Sequence, residues 1–368
     1  MTATVDVARI GGGSHQVGRL TLNAPKTLNS LTRDMVEIIA EHLEAWRDDD
    51  SIAAIIIDAE GEKAFCAGGD VQALRNSSLA TPGGPCVEGE SFFAREYRMN
   101  YMLHTYPKPI IGWGHGVVMG GGLGILAGCA YRVVSERTRI GMPEVTIALF
   151  PDVGGSWFLN RMPGQVGRFL ALTAASINAT DALFCGLGTH FLAHAQHDAF
   201  LAQLAELSWS ADADANRQQV ETLLASMNAE VEQPPAQIEP ELETINSWMA
   251  GEDLSTIVSR VMAWEGDNTW LARARDGLAG GSSLAAAWIF RQLNDSRERD
   301  LRQVFESELI LAANILRHPE FAEGVRALLV DKDRNPAWTY ANIDAVPDAV
   351  LDSFFVQPEA AQMLDLPE

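Results

Sequence analysis

Residues 52–58 read Ile-Ala-Ala-Ile-Ile-Ile-Asp, a short apolar run that suits a strand buried on both faces. Such a strand needs cover on two sides, and the neighbouring sequence alternates strand and helix patterns. Residues 5–10 and 17–22 are strand patterns around Gly11-Gly12-Gly13-Ser14, a hairpin by its turn chemistry. Thr32 can cap a helix whose apolar stripe is Met35, Ile38, Ile39, Leu43 and Trp46. Residues 59–75 read as a loop, 91–106 as an aromatic-rich helix, and 109–113, 131–135 and 139–142 as short strands. The second half changes character. Residues 193–227 are helical and charged, 230–241 read as an acidic connector with Pro234-Pro235 and Pro240, and the pattern from 242 is helical almost to 326. Ser282 or Ser283 is the expected cap after Gly280-Gly281. The reading is a mixed α/β unit over residues 1–190 followed by a helical region over 191–368.

The chain has 368 residues and is 47% hydrophobic, enough for a sizeable core. Its formal charge of -22 argues against nucleic acid and anionic membranes as partners. No run approaches the length of a membrane span, and the first residues lack the basic and apolar regions of a signal peptide. Cys66, Cys86, Cys129 and Cys185 have no paired or metal-type spacing and read as reduced thiols, which predicts a cytoplasmic protein. Of the four lysines, Lys26, Lys63 and Lys108 fall in the first third beside glycine-rich segments, where an anionic ligand could be held.

Glu144 and Asp152 stand eight residues apart across an apolar run, each directly after a proline. Acids buried in such surroundings are costly unless paired, shifted in pKa or used in chemistry. Upstream lie Ala67-Gly68-Gly69-Asp70 and Gly120-Gly121-Gly122-Leu123-Gly124. Glycine-rich turns free backbone amides, and two amides converging on a carbonyl oxygen make an oxyanion hole. Gly122-x-Gly124-x-x-Ala127 has the form of a dinucleotide fingerprint, but a strand begins at Tyr131 and Glu136 comes too soon, so that reading is set aside. Blander roles suit other candidates. Asp70 can cap the following turn, Cys66 can pack, Trp264, Trp270 and Trp288 can pack helices, and His190, His194 and His197 read as surface or packing residues rather than a zinc site.

These residues resemble the enoyl-CoA hydratase/isomerase (crotonase) superfamily. The resemblance is carried by residues 63–70, the Gly120-Gly121-Gly122 cluster, Met142-Pro143-Glu144 and Pro151-Asp152-Val153-Gly154-Gly155, and extends to Glu323-Gly324-Val325-Arg326 and Val330-Asp331-Lys332-Asp333 near the end. It implies an α/β fold, the crotonase (ClpP-like) spiral of ββα units, here with an extended helical C-terminal region covering the active site. By this resemblance Gly69 and Gly121 hold the thioester oxygen, Lys63 lies near the CoA phosphates, and Ala67 contacts the adenine. Glu96 lies near the acyl end, Glu144 is the principal catalytic carboxylate, and Asp152 is its acidic partner. Ala24 stands where the family usually has an arginine. Hydratases of the family carry a glutamate two residues beyond the glycine triplet; here that position is Gly124. The missing carboxylate, with the acid at 152, favours the branch that hydrolyses short β-hydroxyacyl-CoA thioesters such as 3-hydroxyisobutyryl-CoA. Glu144 would attack the carbonyl or activate water. A hydratase or isomerase, or a silent acyl-CoA-binding homologue, is the alternative. The resemblance implies an acyl-CoA substrate, no metal, no cofactor beyond the substrate's own CoA, and a homo-oligomer, trimer or dimer.

Overall fold

The computed structural model describes residues 4–227, 229 and 231–367. It begins with β1 (Val5–Ile10) and β2 (Gln16–Leu22), an antiparallel hairpin in which Val5 faces Leu22 and Ile10 faces Val17. Next comes α1 (Arg33–Arg47), where the Thr32 hydroxyl accepts from the Met35 amide at 3.3 Å and Met35, Val36, Ile39, Leu43 and Trp46 are buried. Then β3 (Ile52–Ala59) runs parallel to β2, with its first seven residues buried.

The expected loop at 59–75 is not one loop. It contains β4 (Ala64–Cys66) and the start of α2 (Val71–Ala80), which Asp70 caps by accepting from the Ala73 amide at 3.1 Å. After α3 (Val87–His104) the same unit recurs: β5 (Ile110–Gly114), β6 (Val117–Met119) and α4 (Gly121–Gly128), then β7 (Tyr131–Val134) and β8 (Arg139–Gly141). Each recurrence puts one strand in a six-stranded sheet and the next in a three-stranded sheet, β4-β6-β8, before turning back through helix. The large sheet is ordered β1-β2-β3-β5-β7-β9, its last member being β9 (His190–Phe191). That succession is the ββα spiral.

Short helices α5 (Gly155–Leu159), α6 (Val166–Thr173) and α7 (Ala179–Phe184) follow β8. The helical stretch at 193–227 is broken into α8 (His197–Ala205) and α9 (Ala213–Ser226). They cover the outer face of the large sheet, where Ala54 and Ile56 of β3 and Trp113 of β5 pack with Phe200, Leu204, Val220 and Leu224. Ile55 and Ile57, alternating with these, face the main core. The described part of the acidic connector is docked rather than loose. Asp181 accepts from the amides of Gln237 and Ile238 at 2.8 and 2.9 Å, and Ile238 is fully buried.

The remaining helices are α10 (Leu242–Met249), α11 (Leu254–Met262), α12 (Thr269–Gly280), α13 (Ser283–Asp295), α14 (Leu301–Arg317), α15 (Pro319–Val325) and α16 (Asp348–Ser353). Ser282, not Ser283, caps α13. Helices α14 and α15 lie on α3 and α2, and the main core draws on both halves of the chain, from Val5 to Leu366. No helix among the described residues is long and apolar enough to cross a membrane.

Candidate active site

The C-terminal ends of β4, β6 and β8 open onto one cavity of about 220 Å³. Its lining includes Ala67, Gly69, Glu96, Gly121, Glu144 and Asp152, so six of the seven residues singled out from sequence come together there. Lys63 is the exception. It is exposed just before β4, four residues and roughly 13 Å of extended chain before Ala67.

The two glycine clusters meet. Gly68 and Gly120 both have positive φ, at 101° and 48°. A Cβ on Gly120 would lie 3.6 Å from the Gly68 Cα and 3.1 Å from Glu144 Oε1, so the turns abut and the acid approaches the second. Gly121 is the first residue of α4, whose opening amides have no acceptor within the helix. The Gly69 amide donates to no backbone acceptor among the described residues. Two amides are thus available on one wall of the cavity.

Three buried acids line the same cavity. Glu144 opens a 3-10 turn (Glu144–Ile147) and is 5% exposed; its Oε2 has no hydrogen-bond partner among the described residues. Burial, then the nearby Asp152, push its carboxyl well above the ordinary range. Glu96, on α3, is equally enclosed, with Oε1 unpartnered, and is raised by burial and by Asp152. Burial raises Asp152 to about 7, against a hydrogen bond of 2.8 Å from the Tyr97 hydroxyl to Oδ2. The apolar walls are Val71, Leu74, Phe92 and Phe93, together with Leu328 and Leu329 from a π-helical turn (Arg326–Val330) beyond α15. Arg326 ties that turn down through Glu323, Asp331 and Asp333 at 2.6–2.8 Å.

Behind Asp152 the chain makes an unusual turn. Val153, β-branched, adopts φ +56°, and Gly154 follows at +84°. Glu308 of α14, fully buried, accepts from the amides of Gly154 and Ser156 at 2.8 and 3.0 Å. Burial raises its carboxyl to about 8 despite those bonds. Sequence reasoning missed both Glu308 and Tyr97. Val153 also fills the space beside Gly124. A Cβ there would lie 2.5 Å from the Val153 Cβ, so the position has no room for a second carboxylate.

Several candidates lie elsewhere. Lys108 donates to the carbonyls of Trp46 and Asp49 at 2.6 and 2.8 Å, an end cap for α1 rather than a ligand contact. His190, His194 and His197 do not share one helix face. They sit on β9, a 3-10 turn (His194–Gln196) and α8, and meet Thr189, Glu62 and Asp58 respectively. Cys66 is enclosed, and burial pushes its thiol up to about 12. Trp270 and Trp288 donate to the carbonyls of Ser176 and Leu149 and bind helices to the core.

The sequence profile of the family described as Enoyl-CoA hydratase/isomerase matches residues 17–355. The chain belongs to the enoyl-CoA hydratase/isomerase family. A curated relative named "3-hydroxyisobutyryl-CoA hydrolase, mitochondrial" from Gallus gallus is 34% identical over 92% of this chain and 86% of its own length. Its namesake from Danio rerio is 32% identical over 92% and 87%. A crystal structure described as a carnitinyl-CoA dehydratase from Mycobacterium thermoresistibile superposes with a TM-score of 0.86, at 32% identity, over 98% of this chain and 99% of that one. The fold, spiral and helical region together, is therefore shared nearly end to end. The expected cytoplasmic location does not stand, because both named relatives are mitochondrial. All four cysteines are buried, and a thiol enclosed in the core says little about the compartment outside.

Proposed function

We propose that the chain hydrolyses a short β-hydroxyacyl-CoA thioester, 3-hydroxyisobutyryl-CoA being the substrate named by its relatives. One observation carries the choice within the family: Val153 occupies the space at Gly124, while Asp152 beside it turns an acid into the cavity. Adding water across a double bond between two glutamates, as the family's hydratases do, has no second glutamate there. The Gly69 and Gly121 amides polarise the thioester carbonyl, and removing one such donor typically costs about 3 kcal/mol of barrier. Glu144 delivers the oxygen nucleophile to the carbonyl carbon, as its own carboxylate or through a water it deprotonates. The C–S bond breaks, CoA leaves as the thiol with one proton, and water supplies the oxygen that completes the free acid. Asp152 meets the substrate's β-hydroxyl or the attacking water. Lys63 and Ala67 bind the CoA portion, and the reaction needs no metal or further cofactor.

Thiol release from 3-hydroxyisobutyryl-CoA is expected to exceed hydration of crotonyl-CoA, followed by loss of enoyl absorbance; faster enoyl turnover would overturn the assignment. A second expectation concerns pH. The cavity acids must lose a proton before Glu144 can act, and their shifts are upward. Log kcat/KM is therefore expected to fall on the acid side with an apparent pKa well above the ordinary carboxylate value, since Glu144 and Asp152 are both shifted upward. A limb at the ordinary carboxylate pKa of about 4 would show that the cluster works without that coupling.

A further inference from the structure

Asp152 enters the cavity with one oxygen already committed. Tyr97 follows Glu96 on α3, is fully buried, and donates its hydroxyl to Asp152 Oδ2 at 2.8 Å. Its ring lies 5.6 Å from that of Phe93 and 6.0 Å from that of Phe305 on α14, so the hydroxyl is held in one direction. The other two acids differ. Glu144 Oε2 and Glu96 Oε1 are buried with no partner and are open to a substrate. Asp152 is held from behind as well, because Glu308 grips the amides of Gly154 and Ser156 in the turn that follows it.

We propose that Tyr97 is a positioning residue for the hydrolysis, fixing the Asp152 carboxylate in the orientation and charge state from which it meets the substrate. The proposal rests on the hydrolase reading. Alone, a buried tyrosine hydroxyl in need of an acceptor would also explain the contact. What distinguishes a working role is its electrical consequence. The groups facing Asp152 are Glu96 and Tyr97 from α3, Glu144 from the 3-10 turn and Glu308 from α14. The other three are carboxyls, whereas the Tyr97 hydroxyl donates to Asp152 and favours its ionised form.

Tyr97→Phe removes only that donor. In a chain that releases thiol, kcat is expected to fall about tenfold, the loss of one hydrogen bond to a charged group. KM should stay within about twofold, and the acid limb of the pH profile should move to higher pH. In an Asp152→Asn background the same substitution should change kcat by less than about twofold, because the charge that the hydroxyl stabilises is gone. Unchanged kcat and an unmoved acid limb in Tyr97→Phe, or a full tenfold loss retained with Asp152→Asn, would overturn the proposal. An unmutated chain that releases no thiol would instead overturn the hydrolase reading.

Discussion

Glu144→Ala is expected to lower thiol release at least about a hundredfold, while the chain stays folded. General acid–base contributions run from roughly 10² to 10⁴ in rate, or about 2.7–5.5 kcal/mol of barrier. The unpartnered Oε2 says the same from the other side: no hydrogen bond among the described residues depends on that atom, so a ligand is what it can serve. Stability should hold or rise. A carboxyl pushed up by burial and by Asp152 is a cost to the folded state at neutral pH, and removing it relieves its repulsion with Asp152 as well. Thiol release and the thermal midpoint measured on one preparation test both halves. Unchanged release would mean that the activity does not come from this cavity, as a silent acyl-CoA-binding homologue requires. Lost release with a collapsed midpoint would make Glu144 structural instead.

Much of this site could be read before the fold was known, for identifiable reasons. The hairpin of β1 and β2, the Thr32 cap and the doubly buried β3 follow from local rules that tertiary packing did not override. Glu144 and Asp152 were visible because an acid beside a proline in an apolar run has few explanations. Of the strands with two or three residues only β8 was expected; β4 and β6, which run into the glycine clusters, and β9 were not, since so few residues cannot display a period of two. Tyr97 was hidden in a helix already rich in aromatic residues, where nothing marks which hydroxyl meets an acid. Glu308 did leave a signal. On α14 it sits with Val304, Phe305, Leu309 and Ala312 on the buried face, a lone acid in an apolar stripe. The left-handed Val153 could not have been anticipated, since a β-branched residue is among the last expected there.

That valine underlies the second large effect. Gly124→Glu restores in sequence the carboxylate that the family's hydratases carry, yet it is expected to destabilise the chain rather than change its reaction. The new Cβ would meet the Val153 Cβ at 2.5 Å and its Cγ2 at 2.7 Å, with Asn100 Nδ2 at 3.2 Å. Overpacking of this kind usually costs about 1–3 kcal/mol, and a buried extra acid adds to it, so a loss of roughly 3 kcal/mol or more is expected. Val153 cannot easily step aside, because Glu308 holds the next turn through two amides. Val153→Gly removes the obstacle and relieves a left-handed strain of roughly 1–2 kcal/mol, which offsets most of the apolar burial it gives up. The double variant Gly124→Glu with Val153→Gly should therefore recover much of the lost stability, and only there does hydration of crotonyl-CoA have room to appear. Denaturant midpoints of the two single variants and the double variant, read beside enoyl loss and thiol release, decide the matter. If Gly124→Glu alone folds as well as the parent and hydrates crotonyl-CoA, the space at Gly124 is not what separates the two reactions.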